Sequence, residues 1–267
     1  MNTVPTGNVP RANRAGNEEQ PLLGQPAASK KGWRKKMMVN VHRDWADVVL
    51  VLCYIITGLL DSASISTWGS FVSMQTGNTV YIGLGLAAPH ESKRSIKSGI
   101  SLISFCVGSF CFSRFHRYFT ASRRWVLCAS FLIQMSLIVT AAAILTWGPK
   151  SGSDKDSIGW NVLIPIALVA FQSCGQAVTS RALKYNALTS VVLTSIYCDL
   201  FSDAELFVLH NAERNRRVGA PVLLLFGAVM GGLLAHSTVG TAGVLWIAAA
   251  LKLLVVVSWF FWPAANE

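Results

Sequence analysis

Asp61 and Lys252 are ionisable residues set deep in sequence that reads as membrane interior, and between them in the chain lies a polar triplet, Thr76-Gly77-Asn78. An ionisable group at membrane depth marks a functional site by default. Asp61 suits proton or cation coupling; alternatively it caps the next helical piece, in one network with Ser62 and Ser64. Lys252 sits midway through WIAAALKLLVVVSWFFW, with no charged neighbour in that stretch. A lone lysine there costs about 3 kcal/mol on insertion scales, so it must pair, line water or snorkel. Depth and sign name Asp61 as its partner, then Asp199. Gly77 lets the backbone turn or another helix approach closely. Asn78 brings two donors and an acceptor for a neighbour or a ligand. Helix–helix packing is the competing role for the triplet. Gln172, Ser173, Gln176, Thr179 and Thr194 are expected to face this region from the second half of the chain.

The elements that must position these residues follow from composition. The 267 residues are 52% hydrophobic and only 13% charged, with a mean hydropathy of +0.45. Soluble domains carry about 25% charged residues, and a membrane helix needs about 20 apolar ones. The reading is an all-α membrane protein. Five spanning helices are expected over 45–62, 98–115, 125–147, 218–237 and 241–262, and a sixth over 160–180. Two hydrophobic segments, 70–88 and 187–207, are interrupted by Gly, Thr, Ser and Asn. The stretch from Gly58 to Asn78, GLLDSASISTWGSFVSMQTGN, reads as one long break in the membrane pattern. Non-helical backbone at that depth must be buried in protein or line water.

Charge sets the expected orientation. With six crossings and the N-terminus inside, seventeen of the 23 Lys and Arg fall inside and five outside. Eight crossings would put four arginines in one short outer loop, so six is preferred. Residues 1–44 read as a disordered basic cytosolic tail ahead of the integral membrane domain, 45–262. Its KKGWRKKMMVNVHRDW end suits contact with anionic lipid, and Glu18-Glu19-Gln20-Pro21-Leu22-Leu23 has the form of an acidic dileucine sorting signal. Trp45, Trp160 and Trp262 fit an interfacial aromatic belt.

The two halves, 45–147 and 160–262, share an order of elements. Gly58, Thr76 and Gly108 are spaced as Gly175, Thr194 and Gly227 are, within one residue at each step. Three crossings per half give the halves opposite orientation, so a 3+3 inverted repeat is expected, as in secondary transporters. GLLDSASISTWGSFVSMQTGNTVYIGLGLA and the later FQSCGQAVTSRAL and SVVLTSIYCDLFSD resemble the two signatures of the YoaK-like family of polytopic membrane proteins of unknown function. The resemblance covers about 45–262 and implies fold and membrane location, with no chemistry attached.

Several function classes are not expected. The six cysteines lie in or beside hydrophobic segments and act as small apolar packers, and neither Cys nor His shows metal-ligand spacing. No metal, haem or other cofactor and no nucleic-acid partner is expected. No P-loop, GxGxxG, HExxH or nucleophile–base set occurs, so the chain does not read as an enzyme. The leading function is a secondary transporter or permease of a small solute, its site drawn from Asp61, Thr76, Gly77, Asn78, Gln172, Gln176, Thr194 and Lys252. The alternatives are a membrane scaffold or an assembly or lipid-interacting protein, and then an intramembrane enzyme. Plasma, vacuolar and endosomal membranes all fit.

Overall fold

A computed structural model describes residues 32–33, 36–42, 46–88, 93–149, 158–185, 191–208 and 211–265. The dileucine string and Trp45 lie outside these residues. Long apolar stretches become helices because lipid offers the backbone no partner, so each peptide group must bond within its own segment. The helices are α1 (Ala46–Trp68), α2 (Gln75–Ala87), α3 (Arg94–Phe119), α4 (Arg124–Trp147), α5 (Trp160–Ala182), α6 (Thr194–Phe201), α7 (Ala212–Ala235) and α8 (Gly240–Phe261). Six of them, all but α2 and α6, are long and apolar enough to cross a membrane. With 13 and 8 residues, α2 and α6 span only about 20 and 12 Å at 1.5 Å per residue. Leu86, Ile103, Phe110, Leu225, Leu233 and Phe261 are each more than 60% exposed on the outer surface. Exposed apolar side chains on this scale suit lipid and are unusual on a soluble monomer.

α1 packs chiefly on α7, α3 on α5, and α4 on α8; smaller contacts join α1 to α8 and α5 to α4. α1 and α5 form the centre, with 67% and 72% of their most apolar windows buried, against 28% and 22% for α3 and α7. Glycine makes the closest crossings possible. A Cβ on Gly227 would strike the backbone of Ile55, and one on Gly108 would lie 2.6 Å from the carbonyl oxygen of Phe171.

One face is closed by residues 36–42, here called the tail face. Arg124 donates to the Lys36 carbonyl at 2.8 Å and to that of Trp262 at 2.5 Å. Val41 bridges to Ala264 and Asn40 to Arg123. The N-terminal strap, the α3–α4 turn and the C-terminal end of α8 thus meet.

The break between Gly58 and Asn78 is shorter than its sequence suggests. α1 runs unbroken through Asp61 to Trp68. The hydroxyls of Thr57 and Ser62 bond back to the carbonyls of Cys53 and Leu59, at 3.1 and 3.2 Å, so these polar residues stay inside the helix. The chain turns only at Gly69, whose φ of +77° is left-handed and suits a residue without a Cβ.

Candidate functional site

Residues 69–74 turn back into the bundle before α2 begins, and side chains from four helices satisfy their backbone. Asp61 of α1 accepts the N–H groups of Val72 and Ser73 on one oxygen, at 2.8 and 2.9 Å, and the Ser73 hydroxyl on the other. Asn78 of α2 accepts from Phe71 N–H at 3.0 Å and donates to its carbonyl at 2.8 Å. Ser101 of α3 donates to that carbonyl too, at 2.7 Å. Ser173 of α5 donates to the Val72 carbonyl at 2.8 Å, and Ser64 to that of Ser70 at 2.7 Å. Arg94 donates through Nε to the Gly69 carbonyl, its guanidinium 3.4 Å from the centre of the Tyr81 ring. An unpaired backbone group buried here would cost about 1–3 kcal/mol, which explains the concentration of polar side chains around so short a turn.

The second cluster lies one helical turn away along α1. Lys252, fully buried on α8, donates to the Oε1 atoms of Gln134 on α4 and Gln176 on α5, at 2.6 Å each. Its Nζ lies 5.0 Å from the centre of the Phe131 ring. Gln176 passes a hydrogen bond to Thr57 Oγ1 at 2.7 Å, which ties the cluster to α1. Two charge-assisted hydrogen bonds contribute about 1.5–3 kcal/mol each and the ring about 1 kcal/mol. Together these are comparable to the several kcal/mol that burying an ion costs. A lysine can be held here without a carboxylate.

The chain of polar groups continues toward the tail face. Gln134 donates to Ser130 Oγ at 3.3 Å, and His116 Nε2 lies 3.2 Å from both Ser130 Oγ and Thr179 Oγ1. His116 in turn lines a cavity of about 470 Å³ with Ser113, Arg117 and Arg181 at the tail-face ends of α3 and α5. A nearly continuous run of hydrogen-bonding side chains thus joins the buried ammonium to a cavity at one end of the molecule. Gly175 makes room for it: a Cβ there would sit 2.6 Å from the Gln134 side-chain nitrogen.

The expected site residues separate into three groups. Asp61 and Asn78 are buried at the turn; Gln176 and Lys252 share the second cluster. Gln172 is buried on α5, next to Ser173, and its Oε1 has no partner among the described residues. Thr76 and Thr194 instead lie exposed on α2 and α6 and join neither cluster. Gly77 is half-buried, its missing Cβ leaving space for the Phe71 ring. The expected Asp61–Lys252 pair does not form. The turn's N–H groups and the Ser73 hydroxyl engage the carboxylate, and two amide oxygens take the ammonium. Asp199, the second expected partner, is exposed on α6. Sequence reasoning missed Gln134, Ser130 and His116. Gln134 was detectable: it follows Gly108 by 26 residues, as Lys252 follows Gly227 by 25.

Comparison with family models now adds identity. A family described as protein of unknown function, DUF1275, matches residues 49–258. The chain belongs to the DUF1275 family. The match begins within α1 and ends within α8, and every side chain named in the two clusters falls inside the DUF1275 region. No curated protein and no solved structure matches the chain.

Proposed function

We propose that this DUF1275 protein is a secondary transporter or permease of a small solute, built as two inverted halves whose junction carries the Lys252 cluster. The observation that carries the reading is a buried ammonium held, among the described residues, by neutral groups from both halves and connected by polar side chains to a terminal cavity. A bundle needing only cohesion has no use for so costly a group, and replacing such groups by apolar residues is often stabilising.

The inverted repeat is supported by the packing. Exchanging α1–α4 for α5–α8 turns the α1–α7 contact into α5–α3 and the α1–α8 contact into α5–α4, and leaves α4–α8 unchanged. Burial follows the same exchange: α4 and α8 are each 44% buried over their apolar windows. Gln134 and Lys252 then occupy matching positions, near the axis relating the halves. Positive-inside bias puts the tail face in the cytosol.

The second reading, a membrane scaffold, is favoured by one observation: most of the turn's backbone groups and the Asp61 carboxylate are mutually satisfied. Profiling solute uptake and efflux in a strain lacking the protein separates the two. A transporter gives at least one solute phenotype, restored by the natural chain and not by Lys252→Met expressed at equal level. Absence of any solute phenotype would favour the scaffold.

A further inference from the structure

We propose that the tail-face cavity between α3 and α5 binds a phosphate-class anion, with Arg117 and Arg181 as its charged grips and His116 at its inner wall. Binding can be read without flux, so the inference stands apart from the transport reading. Helical spacing builds the site. Ser113, His116 and Arg117 stand at i, i+3 and i+4 on α3, and Val178, Arg181 and Ala182 repeat that spacing on α5, so each set shares one face. The turn after Phe119, with Thr120 at φ +64°, places Ala121 at the rim.

Three observations point to an anion. No carboxylate lines the cavity among the described residues. Arg117 and Arg181 are exposed, and neither forms an ion pair among the described residues. His116 is 4% exposed, yet its Nδ1 has no hydrogen-bond partner among the described residues, while Nε2 faces Ser130 and Thr179. A buried donor or acceptor left this way is costly unless something else meets it. The ends of α3 and α5 oppose an anion with about half a negative charge each, which two full guanidinium charges outweigh. Two planar forks, an imidazole and a hydroxyl suit the several oxygens of a phosphate group. A volume of about 470 Å³ falls within the range for small-molecule sites, enough for a phosphomonoester or a lipid headgroup.

The test uses the full chain in phosphatidylcholine nanodiscs, titrated calorimetrically with inorganic phosphate, and a second set of discs containing phosphatidic acid. The expected result is saturable phosphate binding, weakened at least tenfold by Arg117→Gln with Arg181→Gln and weakened by added salt. Arg114→Gln, whose side chain lies over Phe110 and not in the cavity, leaves binding unchanged. If phosphatidic acid alone raises the melting temperature, and the double variant abolishes the rise, the site holds and its ligand is a lipid headgroup. Should the double variant fail to fold, Arg181→Gln alone carries the comparison. Binding of neither probe, or binding unchanged in a folded variant, overturns the proposal.

Discussion

Lys252 shows how a charge can be kept in a membrane bundle by amide oxygens, with no counter-ion beside it among the described residues. The two amide oxygens that hold it come from helices far apart in sequence, so the arrangement depends on fold more than on local pattern. Gln176→Leu would leave the ammonium one partner short and Thr57 without its donor. Thermal unfolding in detergent should show a loss of about 1–3 kcal/mol. Asp61 is informative for a different reason. Asp61→Ala orphans three donors, and should expose the 69–74 turn to faster thiol labelling of a cysteine placed at Ser70 in a cysteine-free background. Asp61→Asn keeps an oxygen for the two N–H groups, and its amide can donate to the Ser73 hydroxyl. It should label like the parent protein; labelling as fast as Asp61→Ala would show that the negative charge itself holds the turn. Both ionisable residues were legible in sequence because charge is rare at such depth. Their partners were not, since opposite sign suggests pairing and carries no information about backbone donors or amides that come closer.

At the scale of elements, the spanning helices were readable from apolar length, with ends displaced by a few residues where charged first turns extend them, as at Arg94 of α3 and Ala212 of α7. The break was misjudged in extent. Serine and threonine hydroxyls can bond within a helix as readily as they interrupt one, and only the backbone at Gly69 decides which occurs. The segments 70–88 and 187–207 were expected as interrupted hydrophobic stretches, and α2 and α6 are the short helices they form; the turn before α2 was not foreseen, because hydropathy does not say which side chains will satisfy a turn. Close packing of α1 on α7 and of α3 on α5 makes a paired prediction. Gly227→Leu and Gly108→Leu should each lower the melting temperature by several degrees, since neither can be relieved by moving a flexible side chain. A large effect from one and none from the other would argue that the two crossings are not equivalent.

At the scale of the whole molecule, the described residues form a membrane protein of six apolar helices long enough to span, with two short helices between them, and the proposed exchange of halves relates the two sets of spans. Glycine and threonine spacing first suggested such an exchange, yet Thr76 and Thr194 are exposed, while Gln134 and Lys252 are buried. Spacing registered the order of elements; the faces they present depend on packing partners that no periodicity encodes. If the halves rock about their junction, the Lys252 cluster must meet water from each side in turn. The most direct measurement places a cysteine at Thr57 in a cysteine-free background and labels it with a membrane-impermeant thiol reagent, in sealed vesicles of each orientation. The account predicts labelling from both faces. Labelling from neither face, in protein that is folded and fully labelled after denaturation, would contradict it and leave the cluster as a dry structural core.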